Sequence, residues 1–561
     1  LWTIRETGAS ATSLNLGAKG ADPVVGWEDV AVDPMRLGDY LREFQRLVDR
    51  YGYRTSLYGH FGDGCIHARI NFELRTPAGL ATWRGFLTEA AHLVVKYGGS
   101  LSGEHGDGQA KGELLPIMFS PELMQAFREF KAAWDPQGRM NPGKLIDARP
   151  FDSDLRLGPS YKPITLATRF SFDTDVGKGF TRAAEHCIGM GKCRSASGGT
   201  MCPSYRATGE ERYSTRGRAR LLAEMLRGEV ITDGWASTEV KEALDWCLAC
   251  KGCRSDCPTH TDMAAYKAEF LSHYYETHSR PRQAWSMGRI GEWAPLASKF
   301  SGLVNLVSAN PLSKWIAGVS PDRSLPRFQK TFRSQFKPNG AGERVILFDD
   351  TFNNHFRPQT ALAAQRVMEQ AGGAVELPAK HACCGRPYYD YGMLDEAKRA
   401  LQGVLETLPP DVPVVVLEPG CLSVFRDELR QLLPGQTRQF MSLAEYLVMK
   451  GFKANIGGRV VMHGHCHQKA LWGTAAELQV LKQSGCEVSA PDTGCCGMSG
   501  SFGYKPEHAA ASRRIAELAL LPALGAARDS VVVANGFSCR EQIESLAGRP
   551  TLHLADILAP R

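Results

Sequence analysis

One run of cysteines constrains this chain more than any other feature of its sequence. Cys247, Cys250, Cys253 and Cys257 are separated by two, two and three residues, and Pro258 follows the last of them. At this spacing the first three thiolates hold one four-iron cluster, and the fourth, before the proline, reaches a second cluster. The segment is therefore predicted to fold around iron-sulfur clusters and to transfer electrons.

A second, modified cysteine run precedes the first. It contains Cys187, Cys193 and Cys202, with Met190 where another cysteine would stand and Pro203 after the last. Crossed ligation between the two runs predicts one cluster held by Cys202, Cys247, Cys250 and Cys253. It predicts another held by Cys187, Cys193 and Cys257.

The second of these sites is one thiolate short. It is predicted to hold a three-iron cluster, or a four-iron cluster completed by a ligand other than cysteine, such as His186. Zinc in a four-cysteine site is the alternative interpretation. The evenly spaced third cysteine, Cys253, and the two Cys-Pro pairs argue against zinc.

The length and charge of the chain exclude some classes of protein. Its 561 residues are enough for about three to four domains. The 66 basic and 60 acidic residues leave a net charge of +6, which is too small an excess to favour nucleic acid as the main partner. No apolar run is long enough for a membrane span, so any membrane contact is expected to be peripheral.

The cysteine content indicates the compartment. Sixteen cysteines, many in close groups, favour metal ligation in a reducing environment over a disulfide framework. We expect a cytoplasmic protein, with peripheral contact at the inner face of the membrane as the alternative. The first residues, LWTIRETGAS, include neither a methionine nor a signal peptide, so the chain is expected to be a fragment.

The last part of the chain contains an internal repeat. RVILFDD at residue 344 corresponds to RVVMHGH at 459, and CCG triplets begin at Cys383 and Cys495. Cys421 and Cys539 follow similar apolar runs, and the three offsets are 115, 112 and 118 residues. Two copies of one α/β unit are therefore predicted, at about 340–455 and 456–561.

The two copies differ in their cysteines. The second copy is predicted to hold a cluster on Cys466, Cys495, Cys496 and Cys539. In the first copy Thr351 or Phe352 takes the place of the early cysteine, so this copy is predicted to be degenerate. Three histidines around Cys466 are predicted to be metal ligands or proton relays, with a structural role as the alternative: His463, His465 and His467.

Glycine-rich turns near the N-terminus contain three histidines and a carboxylate. His60 and His67 flank a GDG sequence, and Glu104 and His105 belong to GEHG. Two imidazoles and one carboxylate are the ligands of a catalytic zinc that keeps an open position. Ordinary turn histidines are the alternative for these motifs taken alone.

These motifs resemble three known families. Residues 1 to about 148, which include DPQGRMNPGKLI, resemble the C-terminal substrate domain of FAD-linked D-2-hydroxy acid dehydrogenases, such as D-lactate dehydrogenase, the D subunit of glycolate oxidase and D-2-hydroxyglutarate dehydrogenase. The cysteine runs resemble the two-cluster domain of the C subunit of anaerobic glycerol-3-phosphate dehydrogenase. The repeats resemble the CCG domain of heterodisulfide reductase.

The first resemblance implies roles for individual residues. His60, His67 and Glu104 would bind a divalent metal, expected to be zinc, and His105 would take the proton of the substrate hydroxyl. Arg5, in WTIRE, would pair with the substrate carboxylate. Two residues of the NPGK turn would lie on the flavin side, Asn141 and Lys144.

The sequence also departs from this family. Cys65 replaces the usual Asn of a GDGN motif, and Trp27 stands where the family often has a substrate-binding lysine. The resemblance therefore does not identify the acid. The FAD-binding half of the family has no counterpart in the chain.

The chain is thus predicted to be multidomain. An α+β FAD-linked oxidase C-terminal domain at 1–148 precedes an α-helical ferredoxin-like domain at 149–282. A basic linker at 283–336 and a duplicated α/β CCG domain at 337–561 follow.

The predicted function is oxidation of a D-2-hydroxy acid, such as D-lactate, D-2-hydroxyglutarate or glycolate, to the 2-oxo acid. Electrons would pass from FAD through 4Fe-4S clusters to a quinone or an electron-transfer protein. One alternative is a thiol-disulfide oxidoreductase of the heterodisulfide reductase type. The other is an electron-transfer module without chemistry of its own.

Overall fold

The computed structural model describes residues 23–172, 179–338 and 341–559. The chain divides into two compact units, Leu1–Pro163 and Ile164–Arg561. Among the described residues, no helix combines the length and the apolar character needed to cross a membrane.

The first unit is an α+β fold with a three-stranded antiparallel sheet in the order β1-β3-β2. The strands are β1 (Val24–Ala31), β2 (Thr55–His60) and β3 (Cys65–Ile70). The helices are α1 (Leu37–Arg50), α2 (Pro77–Lys96), α3 (Gly108–Gly112), α4 (Leu115–Met118) and α5 (Pro121–Trp134). Buried residues of α1 recur every three or four positions, which gives the helix one apolar face: Leu37, Tyr40, Phe44, Leu47 and Val48.

The turn between β2 and β3 fixes the start of the candidate site. His60, the last residue of β2, pairs with Cys65, the first residue of β3. A 3-10 helix, Phe61–Asp63, closes the hairpin, and Gly64 follows with a φ of 73°. A Cβ atom on Gly64 would lie 1.8 Å from the carbonyl oxygen of Val32, so the turn requires glycine.

The second unit begins with a helical part that carries the two cysteine runs. Its helices are α6 (Phe180–Glu185), α7 (Pro203–Thr208), α8 (Thr215–Arg227), α9 (Thr238–Asp245), α10 (Gly252–Asp256) and α11 (Met263–Thr277). Phe270 of α11 belongs to the same buried apolar cluster as Ile346 and Val414 of the following sheet. The helical part therefore shares a core with the first α/β repeat.

The segment predicted as a basic linker is mostly helical. It contains a π-helical turn, Ala284–Gly288, and the helices α12 (Ile290–Lys299), α13 (Ser301–Ser308), α14 (Pro311–Ala317) and α15 (Phe332–Gln335). We refer to residues 284–317, which include α12 to α14, as the arm.

Two four-stranded parallel sheets form the rest of the second unit. The first has the order β5-β4-β6-β7 and the second the order β9-β8-β10-β11. The strands are β4 (Glu343–Phe348), β5 (Gly373–Glu376), β6 (Val414–Val416), β7 (Phe440–Ser442), β8 (Arg459–His463), β9 (Glu487–Ser489), β10 (Val531–Ala534) and β11 (Thr551–Leu552). The shared order confirms the predicted duplication of one α/β unit.

Helices connect the strands of both sheets. In the first repeat these are α16 (Thr351–His355), α17 (Pro358–Gln370), α18 (Arg386–Tyr389), α19 (Leu394–Glu406), α20 (Pro419–Ser423), α21 (Leu429–Leu432) and α22 (Leu443–Met449), with a π-helical turn at Val424–Glu428. In the second repeat they are α23 (Cys466–Leu471), α24 (Ala475–Gln483), α25 (Ala509–Leu518), α26 (Leu520–Ala526), α27 (Phe537–Ala547) and α28 (Leu554–Leu558).

The strand order explains where the cysteines collect. In parallel sheets, ligands bind at the carboxyl ends of neighbouring strands whose connections diverge. Cys421 follows β6, while Cys466 follows β8 and Cys539 follows β10. Thr351 begins α16 after β4, as Cys466 begins α23 after β8.

Candidate functional site

Three predicted histidines of the first unit converge on one predicted carboxylate, that of Glu104. Glu104 Oε1 lies 3.1 Å from Nε2 of His60, 3.5 Å from Nε2 of His67 and 3.6 Å from Nε2 of His105. The rings of His67 and His105 stack with their centroids 4.9 Å apart. Imidazole nitrogens and a carboxylate at these separations are the donors that zinc binds.

The side chains of this candidate metal site differ in burial. His67 is buried in β3, whereas the side chains of Glu104 and His105 are 47% and 55% exposed. Burial, and secondarily the charge of His105, lowers the pKa of His67, which favours the neutral imidazole that a metal requires. The arrangement can hold a metal from one side and leave the other side open to a small molecule.

A second carboxylate lies beside the buried histidine. Glu28 Oε2 lies 3.3 Å from Nδ1 of His67, and Glu28 also pairs with Arg69 and accepts a hydrogen bond of 3.1 Å from the hydroxyl of Tyr58. A carboxylate on Nδ1 directs Nε2 towards the metal position. Sequence reasoning missed Glu28 because its place depends on an irregular register between Trp27 and Val30 in β1.

Asp29 holds the loop that carries Glu104 and His105. Its backbone has a φ of 68°, and its carboxylate accepts hydrogen bonds from Ser102 Oγ at 2.5 Å and from the backbone N–H of His105 at 2.7 Å. Burial opposes ionisation, but these hydrogen bonds hold the pKa of Asp29 well below its usual value. Asp29 also lies close enough to His67, Glu104 and His105 to be a further metal ligand.

The two departures from the family pattern have different environments. Trp27 is 1% exposed in the core, and Lys111 Nζ lies 5.5 Å from the centre of its ring, so Trp27 faces no substrate. Cys65 Sγ lies 3.4 Å from Asp29 Oδ1. Burial and the hydrogen bond to Asp29 raise the pKa of Cys65 to about 12, which keeps it a thiol.

The remaining predicted residues of this unit lie elsewhere or outside the described residues. Asn141 is exposed in a turn with a φ of 47°, and Lys144 Nζ donates to Gln109 Oε1 at 2.5 Å. Arg5 lies outside the described residues. The flavin roles of Asn141 and Lys144 and the carboxylate role of Arg5 stay predictions.

The structure places the seven predicted cysteine ligands of the second unit near one another, and their division between two clusters stays a prediction. One small cavity is lined by Cys187, Cys193 and Cys257, with Met190 beside them. Cys202 interacts electrostatically with Cys253, which in turn interacts with two more thiols, Cys250 and Cys247. All 16 cysteines lie in the described residues, and none is joined in a disulfide.

The first turn of α8 lies against both groups. The backbone N–H of Thr215 donates to Sγ of Cys202 at 3.0 Å, and that of Arg216 donates to Sγ of Cys193 at 3.4 Å. A hydrogen bond from Cys202 is the main cause that lowers the pKa of Cys193, to about 6. N–H donors to thiolate sulfur also set the reduction potential of a cluster.

The second repeat gathers a further thiol site. Its four predicted cysteines are buried, and Cys496, Cys539 and His463 present ligand atoms within 4.8 Å of one another. Hydrogen bonds from Cys495 and then Cys539 lower the pKa of Cys496 well below its usual value. The four thiols remain a predicted cluster site. Of the three histidines around Cys466, His463 is the one whose ring nitrogen lies close to two of these thiols.

The first repeat has a smaller thiol group. Cys384 Sγ lies 2.7 Å from Cys421 Sγ, and Thr351 is buried at the start of α16. Thr351 therefore occupies the place in the order of elements that Cys466 has in the second repeat.

A loop of the helical part inserts between the repeats. We call Leu248–Lys251 the docking loop. His467 Nε2 lies 2.9 Å from the carbonyl oxygen of Ala249, and Ser499 Oγ donates to that of Leu248 at 2.5 Å. Cys250 of this loop shares a buried cluster with Cys466. The site of the downstream cysteine run thus adjoins the thiol site of the second repeat.

Models of three protein families match separate parts of the chain. A model of FAD linked oxidases, C-terminal domain, matches residues 1–145, and a 4Fe-4S dicluster domain matches 183–261. A cysteine-rich domain matches twice, at 349–426 and 460–544. The chain contains all three kinds of domain, which confirms the predicted resemblances and the predicted fold class.

Individual proteins are similar to the whole chain or to parts of it. The chain is 29% identical to D-2-hydroxyglutarate dehydrogenase of Pseudomonas putida over 100% of this chain and 60% of that protein. It is 26% identical to the C subunit of anaerobic glycerol-3-phosphate dehydrogenase of Escherichia coli, over 47% of this chain and 73% of that protein. It is 34% identical to the GlcD subunit of glycolate oxidase of Escherichia coli, over 23% of this chain and 28% of that protein. The chain spans about three fifths of the length of the dehydrogenases that it matches.

Proposed function

We propose that the protein containing this chain oxidises a D-2-hydroxy acid to the 2-oxo acid and passes the electrons through its clusters to a quinone or an electron-transfer protein. The observation that carries this proposal is the convergence of His60, His67 and His105 on Glu104. D-2-hydroxyglutarate is the first substrate to test, because the relatives that span the chain carry that name. We place the protein in the cytoplasm with peripheral contact at the membrane.

The residues of the first unit have different roles in the proposed reaction. His60, His67 and Glu104 would hold a divalent ion, for which their donor set suits zinc. His105, exposed beside them, would accept the proton of the substrate hydroxyl at Nε2. A bound divalent ion supplies Lewis acidity towards the hydroxyl and carboxylate oxygens, and FAD supplies a hydride acceptor.

The second unit offers a route for single electrons. The upstream thiol group, the downstream group and the second repeat adjoin one another through Cys202 and the docking loop. Buried thiolates that follow one another in this way suit a chain of clusters.

The test is anaerobic electron paramagnetic resonance on the full-length protein, with iron and sulfide quantified first. Addition of D-2-hydroxyglutarate, D-lactate or glycolate should reduce the clusters, and His105→Gln should abolish this reduction while dithionite still reduces the variant. Clusters that only dithionite reduces, in the wild type with FAD bound, would contradict the proposal and favour a disulfide reductase or an electron-transfer module.

A further inference from the structure

An apolar cavity lies between the arm and the two α/β repeats. Its volume is about 470 Å³, within the range of small-molecule sites. The walls are mainly apolar and include Trp293, Val304, Val307, Leu325, Phe328 and Phe352. Arg386, His465 and His467 also line the cavity, but its mostly apolar walls suit a largely apolar molecule better than a hydroxy acid with two carboxylates.

The inner end of the cavity reaches the thiol sites of both repeats. Cys421 lines it from the first repeat, and His465 and His467, on either side of Cys466, line it from the second. Ser499, which donates to the docking loop, lies on the same wall. A molecule in the cavity would therefore lie beside the last electron carriers of the proposed route.

The outer end of the cavity opens on an apolar surface of the arm. Nine large apolar side chains of the arm are between 51% and 74% exposed: Trp285, Leu296, Phe300, Leu303, Leu306, Val307, Leu312, Trp315 and Ile316. Leu303 and Val307 both line the cavity and reach solvent. Exposed apolar residues that continue into a cavity mark a binding surface and not an ordinary protein exterior.

The charge around the arm is strongly positive. Residues 280–336 contain nine of the 66 basic residues and two of the 60 acidic ones, so the rest of the chain has 57 basic and 58 acidic residues. The positive net charge of the protein thus comes from this segment. Arg282 lies over the ring of Trp315 at 4.0 Å, which places a cation at the edge of the apolar surface. Apolar and aromatic residues bordered by cations are typical of helices that lie on anionic lipid.

We propose that this cavity binds the head group of a lipid-soluble quinone, which enters from an anionic membrane surface on which the arm lies. The proposal deepens the proposed function, which supplies the electrons: oxidation of one hydroxy acid releases two electrons and two protons. The quinone takes two electrons, one at a time, from reduced clusters, and two protons from water. Its two carbonyl groups become hydroxyl groups, and the quinol returns to the membrane.

The test uses full-length protein whose clusters have been reduced with dithionite, so it does not depend on oxidation of the acid. Ubiquinone-1 is added anaerobically, and reoxidation is followed by absorbance. Val307→Trp should slow reoxidation by about tenfold or more, because the new ring fills the entrance of the cavity. Ala309→Trp, a control on the arm outside the cavity, should react like the wild type.

Two further measurements keep the result interpretable. Ferricyanide, which needs no cavity, should reoxidise Val307→Trp at the wild-type rate, and Ala317→Trp provides a second block from α14. If ubiquinone-1 reoxidises both cavity variants as fast as the wild type, the cavity is not the quinone site.

The membrane part has its own test. Wild-type protein should sediment with vesicles of phosphatidylcholine and phosphatidylglycerol and not with phosphatidylcholine alone. The double variant Leu306→Ser, Trp315→Ser should lose this binding, whereas Met449→Ser, an exposed apolar residue elsewhere, should keep it. Equal sedimentation of the double variant and the wild type would overturn entry through the arm.

Discussion

Glu28 and His67 lie side by side at the candidate metal site, with Glu28 Oε2 at 3.3 Å from Nδ1 of His67. The contact joins β1 to β3 across the sheet, and Nε2 of His67 lies 3.5 Å from Glu104. Because a carboxylate beside one imidazole nitrogen can fix the tautomer of the ring, we expect Glu28 to be a positioning residue.

Glu28→Gln should therefore weaken metal binding by about 10-fold to 100-fold, the cost usual for losing such a partner. Zinc affinity measured by competition with a chelating dye checks this. Glu43→Gln, which changes the half-buried partner of Lys96 on α1, is the matched control and should bind zinc like the wild type. Equal affinities in Glu28→Gln and the control would show that His67 needs no orientation by Glu28.

The crossed ligation of the two cysteine runs predicts different losses for two single substitutions. Cys202→Ser should remove the cluster of the downstream run, a loss of about four irons per chain, and Cys257→Ser should remove the cluster of the upstream run. Iron content and electron paramagnetic resonance of the reduced protein measure both. Cys486→Ser, a buried thiol outside both groups, should keep all the iron. Loss of the same signal in the Cys202 and Cys257 variants would contradict the crossing.

Glu477 of α24 predicts a pH dependence of stability. Burial raises its pKa from 4.5 to about 7 in the folded protein. A carboxyl group with a raised folded pKa binds more protons in the folded state, so stability falls as pH rises from about 4.5 and levels off above about 7. A shift of this size corresponds to roughly 3 kcal/mol.

Glu477→Gln removes this ionisation. The variant should gain melting temperature over the wild type at pH 8 and gain little at pH 5, in thermal unfolding followed by circular dichroism. Glu487→Gln, an exposed carboxylate on β9, should show no such difference between the two pH values. The same gain for Glu477→Gln at both values would exclude titration of Glu477 as the cause.

Lys251 of the docking loop predicts a large loss of stability when it is replaced. Its side chain is 0% exposed, and Nζ lies 2.5 Å from Asp427 and 3.0 Å from Glu428. Lys251→Met would leave Asp427 with only Arg254 and Glu428 with only Arg386 as a cation partner, at a cost of up to about 3 to 5 kcal/mol. A melting temperature well below that of Lys482→Met, a surface control on α24, checks the prediction. Equal melting temperatures would mean that Arg254 and Arg386 neutralise the carboxylates without Lys251.

Much of this molecule could be predicted from local patterns. Cysteine spacing was enough to group Cys187 with Cys257, and a glycine-rich turn was enough to bring His60 near His67. Glu28 and Asp29 were missed because an irregular stretch of β1, with a φ of 68° at Asp29, decides which way their side chains face. Residue type alone does not report such a change of register.

The cavity could not be predicted from the sequence for a different reason. Its walls come from several separate stretches of chain, between Ser286 and Ser538, which meet only after folding. The sequence does not show that residues of α13 line a cavity. Periodicity indicates that a helix has an apolar face, but not whether another element covers that face.

The docking loop has a consequence for the rate of electron transfer in the proposed route. Carriers that swing on tethers deliver electrons only as fast as they diffuse, and their turnover slows in viscous solution. Here a buried lysine fastens the helical part to the first repeat, and hydrogen bonds to Ala249 and Leu248 fasten it to the second repeat. In the proposed electron route, the distance that an electron must cross at this step is set by the fold, so this step would not wait for motion.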